Sequence, residues 1–178
     1  HEAPVISKEQ INKVLTRIPL LVKGEYDTGY TPERVWNIGD PQKIQKIDQV
    51  HRSDQAFFDL IITPQIAESV AKICKADMVQ ICATQLFIKP AGGGKKGTIG
   101  WHADGVNWFW WSGEVLTVWV ALSDAFKENG TITYIPESQN IEFDSLIEDA
   151  YNQNTSEMEE KVIEKLGNDF KTHAAEIK

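Results

Sequence analysis

The chain has 178 residues, enough for one domain with a real core. An apolar share of 42% and a charged share of 25% exclude a disordered or fibrous protein. The net charge of −8 argues against nucleic acid or an anionic membrane surface as the main partner, and no apolar run has the length that spans a bilayer.

Ser7-Lys8-Glu9-Gln10 reads as a helix start, a hydroxyl cap with Gln three residues later. Ile11, Val14, Leu15 and Ile18 then form an apolar stripe that Pro19 is expected to stop. Residues 24–40 are turn-rich and read as irregular. Pro41 to Val50, with Ile44 and Ile47 three apart, reads as a short helix. Ser53 or Asp54 caps another helix through Phe57, Phe58 and Ile61. Thr63-Pro64 opens a third, with proline at its first position and Ile66, Val70 and Ile73 on its inner face.

At Met78 the pattern changes. "MVQICATQLFIK" is rich in β-branched residues and lacks a helical period, so a strand is expected, with Gln85, Phe87 and Lys89 on one face. "AGGGKKG", residues 91–97, reads as a flexible loop able to act as a lid. "EVLTVWVALSD", residues 114–124, reads as a strong strand, "KENG" as a turn, and "TITYIP", residues 131–136, as a further strand. "SLIEDAYNQ" and "SEMEEKVIEKLG" then read as helical, with Gly167 at an end. Cys74 and Cys82 lack a CxxC spacing and read as buried, reduced thiols, consistent with a cytoplasmic location. The order of elements implies an α+β fold with an antiparallel sheet or barrel.

The chemistry concentrates around "GWHADGVNWFWW", where five of six tryptophans fall between residues 101 and 119. On a strand, His102 and Asp104 point the same way. A neutral imidazole beside a carboxylate suits a metal such as Fe(II), given a third ligand from elsewhere. The same tripeptide also fits an exposed strand end that holds no metal. The tryptophans can wall a dry pocket, fill core, or bind a cationic or ring-bearing substrate.

The wider stretch narrows this choice. Lys89-Pro90, the glycine-rich loop, Trp101-His102-x-Asp104, the tryptophan-rich turn, "LTVWVALSD" and "ENGTITYIPES" together resemble the phytanoyl-CoA dioxygenase family of Fe(II)/2-oxoglutarate oxygenases. Upstream, "VHRSDQAFFDLI" also resembles it, so the likeness covers about residues 45 to 139. It implies a double-stranded β-helix, a jelly-roll barrel with N-terminal helices packed outside. One domain over 1–178 is then expected, helical over 1–76, with barrel strands and metal motif over 77–136 and a helical insertion over 137–178.

Carried over by position, the resemblance implies that His102 and Asp104 ligate iron. Lys89, thirteen residues before the histidine, would hold 2-oxoglutarate as a lysine does in a hydroxylase of the family, and Trp108 would contact substrate. Gln85 shares the Lys89 face and is a candidate for binding substrate or cosubstrate, and Trp119 for lining the cosubstrate pocket. Lys89 also fits a solvent-reaching strand end, and the two tryptophans also fit plain packing.

The expected cofactors are Fe(II), 2-oxoglutarate and O2, and the expected partner a small molecule. The resemblance implies hydroxylation rather than halogenation, because the family's halogenases lose the carboxylate that Asp104 supplies. The sequence departs from the family in having no arginine beyond Arg52, and His173 as its only histidine after His102. The polar context of His173 makes it a surface residue rather than the third ligand. The late barrel strands are therefore expected to be missing from the chain. A non-catalytic barrel that binds a small molecule is the alternative, and a mononuclear metallohydrolase a weaker one.

Overall fold

A computed structural model describes residues 5–92, 94–102, 104, 115–138, 155–167 and 172–175. The chain divides into two compact units, His1–Ile88 with Glu114–Leu122 and Lys89–Gly113 with Ser123–Lys178.

The first unit begins with α1, Lys8–Val22. Its capping box forms as the sequence predicts: the Gln10 amide donates to Ser7 Oγ at 3.2 Å, and the Ser7 amide to Gln10 Oε1 at 3.0 Å. Pro19 does not stop the helix. An internal proline costs roughly 3 kcal/mol. Packing of Ile18 and of the fully buried Leu21 offsets this, at roughly 1.5–3 kcal/mol for each buried aliphatic side chain.

The segment read as a helix from Pro41 is instead the strand β2, Gln45–Asp48, flanked by β1, Arg34–Trp36, and β3, Gln85–Ile88. All pairings are antiparallel: Val35 faces Ile47 and Ile47 faces Leu86 on one side, while Trp36 faces Lys46 and Lys46 faces Phe87 on the other. Two isoleucines three apart suit a helix, but burial of Ile47 against α1 and α3 residues selects the extended form.

The helices α2, Val50–Ser53, α3, Gln55–Ile61, and α4, Pro64–Cys74, follow. Asp54 caps α3 as expected: Oδ1 accepts from the Ala56 and Phe57 amides, and Oδ2 from Arg17 Nε at 2.6 Å. Val14, Leu21, Ile47, Val50, Phe57, Leu60 and Leu86 form the core. Proline opens α4 as predicted, but Ile73 is exposed rather than inward-facing. Both cysteines are free, Cys74 half-buried and Cys82 exposed, which corrects the expected burial.

The two long predicted strands are also corrected. Only Gln85–Ile88 pairs within the first, and 115–122 of the second form no strand. Propensity alone does not make a strand; it requires a neighbour to satisfy the backbone. Val120 and Leu122 instead pack against the core.

In the second unit, 3-10 turns occupy Gly94–Gly97 and Lys127–Asn129. Here β4, Thr133–Tyr134, pairs antiparallel with β5, His173–Ala174. Between them lies α5, Thr155–Leu166, which buries Met158 and Val162 one turn apart and ends at Gly167 with φ +83°, as predicted. The expected helix at "SLIEDAYNQ" lies outside the described residues. The α+β reading stands, but the described residues form two small antiparallel sheets and no closed barrel. Among them no helix is long and apolar enough to cross a membrane.

Candidate metal and cosubstrate site

Neither His102 nor Asp104 lies on a strand, which corrects the expected means of their convergence. Local hydrogen bonding achieves it instead. His102 Nδ1 lies 2.9 Å from the Gly100 carbonyl. A carbonyl only accepts, so Nδ1 carries a proton, and Nε2 is the nitrogen turned toward Asp104. Nε2 lies 3.4 Å from Asp104 Oδ1. The Asp104 hydrogen bond raises the His102 pKa above the ordinary imidazole value. Burial opposes the rise, while the Gly100 carbonyl and the Asp104 charge add to it. The aspartate remains largely open to solvent, with its side chain 57% exposed.

This donor pair fits one edge of a metal's coordination shell. Bonds of about 2.1 Å at a right angle place two donor atoms about 3 Å apart, near the separation seen here. A histidine whose other nitrogen donates to a carbonyl is the usual arrangement around a bound ion. No group of three His, Cys, Asp or Glu side chains forms a metal cluster among the described residues. His173 is exposed and stacks on Tyr134, with ring centroids 5.9 Å apart, in agreement with its reading as a surface residue.

Lys89 lies in the same unit as this pair, and its ammonium donates to the Gly130 carbonyl. Although the residue as a whole is exposed, crowding about its amine pushes the pKa below the ordinary lysine value. Gln85 and Trp119 belong to the first unit. Gln85 is exposed on β3 and faces Asp48, while Trp119 is 39% exposed in a segment that forms no strand. Trp108 lies outside the described residues.

Sequence reasoning missed the row into which Gln85 fits. Lys46 is only 4% exposed, its Nζ is 3.0 Å from Asp48 Oδ1, and the Trp36 and Phe87 ring centroids lie 5.7 and 5.6 Å away. A lysine and an aspartate two apart, followed forty residues later by a β-rich run, was the available signal. Reading Pro41–Val50 as a helix concealed it.

No curated protein and no solved structure matches the chain. The sequence model of the family described as phytanoyl-CoA dioxygenase (PhyH) matches residues 4–169. That match takes in the His102/Asp104 pair, Lys89 and the Asn129-Gly130 turn along with nearly all the rest, and the chain therefore belongs to the phytanoyl-CoA dioxygenase family.

Proposed function

We propose that the protein is an Fe(II)/2-oxoglutarate-dependent oxygenase that hydroxylates a small organic substrate on a jelly-roll scaffold. The observation that carries this reading is the convergence of His102 Nε2 and Asp104 Oδ1, with the imidazole tautomer set by the Gly100 carbonyl. Family membership supports the reaction class.

In this reading His102 and Asp104 hold Fe(II) together with a ligand from outside the described residues. Lys89 neutralises the distal carboxylate of 2-oxoglutarate. Trp108 is the candidate substrate contact. Iron with 2-oxoglutarate supplies dioxygen activation, coupled to release of succinate and CO2. The chain's part is to orient both partners and keep water from the reacting carbon.

Anaerobic addition of Fe(II) and 2-oxoglutarate tests this. The wild type is expected to develop the visible charge-transfer band of the ternary complex. His102→Ala and Asp104→Ala are expected to lose it, with oxygen-dependent succinate formation falling at least about a hundredfold. A wild type that takes up neither metal nor 2-oxoglutarate overturns the reading. The absence of a three-residue metal cluster among the described residues favours a second reading, a non-catalytic small-molecule binder. The same titration separates the two.

A further inference from the structure

Two stretches far apart in sequence meet at one hydrogen bond. The Lys89 side chain, at the end of "LFIK", donates to the carbonyl of Gly130, 41 residues later in "KENGT". That carbonyl is presented by a turn with several bonds of its own. Asn129 Oδ1 accepts from the Phe126 amide at 2.7 Å, and Asn129 Nδ2 donates to the Asp124 carbonyl at 2.8 Å. The Phe126 carbonyl accepts from the Asn129 and Thr131 amides at 3.2 and 3.1 Å. Gly130 then turns the chain with φ +83°, a conformation that favours glycine. A Cβ at that position would lie 3.5 Å from Lys89 Nζ. Downstream, Thr131 Oγ1 donates to the Ala175 carbonyl, and the Ala175 amide to the Ile132 carbonyl at 2.9 Å, tying the turn to β4 and β5.

A lysine side chain has four rotatable bonds, and holding its amine at one point costs entropy unless a fixed partner receives it. Here the partner is held in place, because Asn129 ties the turn back to Phe126 and Asp124 before it and the Thr131 amide closes it onto the Phe126 carbonyl. We propose that Asn129 and Gly130 are positioning residues: the turn they build holds the Lys89 ammonium in place for the distal carboxylate of a dicarboxylate cosubstrate. This rests on the oxygenase reading for the identity of the ligand, but not for the latch itself. Asn129 acts through the turn and Gly130 through its carbonyl; neither contacts the ligand. Crowding near the amine, seen in its lowered pKa, makes an anion there more favourable than in open water.

The full chain with specifically 15N-labelled lysine tests the latch. At mildly acidic pH a held ammonium exchanges its protons slowly enough to give a resonance, and a free one does not. The wild type is expected to show a Lys89 ammonium signal, assigned by its absence from Lys89→Met. Asn129→Ala is expected to lose that signal, and Asn129→Asp, which keeps the bond from Phe126, to weaken it. With Mn(II) replacing Fe(II), the Kd for 2-oxoglutarate measured by calorimetry is expected to rise about tenfold in Asn129→Ala, the size of one charge-assisted hydrogen bond. A signal that survives Asn129→Ala unchanged overturns the proposal, as does loss of the signal with an unaltered Kd. Circular dichroism checks folding. Should Asn129→Ala not fold, Asn129→Asp carries both readouts. A wild type that shows the latched ammonium but binds no 2-oxoglutarate overturns the oxygenase reading and leaves the latch standing.

Discussion

The two units are ordered by different means. In the first, a cluster of fully buried aliphatic and aromatic side chains lies beside a buried ionic pair, Arg17 and Asp54, and order follows from removing surface from water. In the second, the described strands are two residues long, and the motif residues are positioned by individual hydrogen bonds: His102 by Gly100 and Asn129 by Phe126 and Asp124 close in sequence, and Lys89 by Gly130 from 41 residues away. The first arrangement tolerates little change of volume. In the second, the motif residues depend on single donors and acceptors. The residues proposed for chemistry at the metal fall in the second, where a side chain is held by one or two bonds and is free to exchange a protein partner for a ligand.

The largest test of this contrast is Asp54→Ala. It removes the cap of α3 and leaves Arg17, whose side chain is 19% exposed, without its closest carboxylate. A loss of roughly 3–5 kcal/mol is expected, as for breaking a buried pair, measured by urea denaturation. A loss below about 1 kcal/mol, the size of a surface pair, would mean that the buried pair does not organise the first unit. Next comes Ile47→Val at the centre of the sheet, expected to cost about 1 kcal/mol. No cost there would show the core to be loosely packed.

The smallest effect concerns the second unit. Because Asp104 raises the His102 pKa, the folded state binds a proton more tightly than the unfolded chain. The stabilisation is fully present below the ordinary value of 6.5 and is lost as pH rises through the raised folded value. Asp104 is more than half exposed, so the gain stays within about 1 kcal/mol. Metal-free protein should lose this increment on going from mildly acidic to alkaline pH, and Asp104→Asn should flatten the profile. His102 titrating at or below 6.5 by NMR, with no change in Asp104→Asn, would mean that the pair does not form.

Local chemistry carried much of this into the sequence. Ser7 with Gln10, Asp54, Thr63-Pro64, Gly130 and Gly167 mark ends and turns through bonds spanning a few residues, and each falls where expected. Features that depend on distant partners did not show. Strand β2 is defined by Phe87 and Leu86, forty residues on, while its own spacing mimics a helix. The run 114–124 has the composition of a strand but forms none over its described residues. His102 and Asp104 do converge, but off any strand and with the help of a backbone carbonyl that no alternation rule describes.

The sealed amine of Lys46 has a consequence for inheritance. With the Trp36 and Phe87 rings beside its charge and Asp48 as its ion-pair partner, it gains little from water. Losing either ring or the carboxylate would strand an ammonium where hydration is poor. Positions 36, 46, 48 and 87 are therefore expected to mutate as a group, and descendants that trade the lysine for an aliphatic residue should be released from keeping the other three.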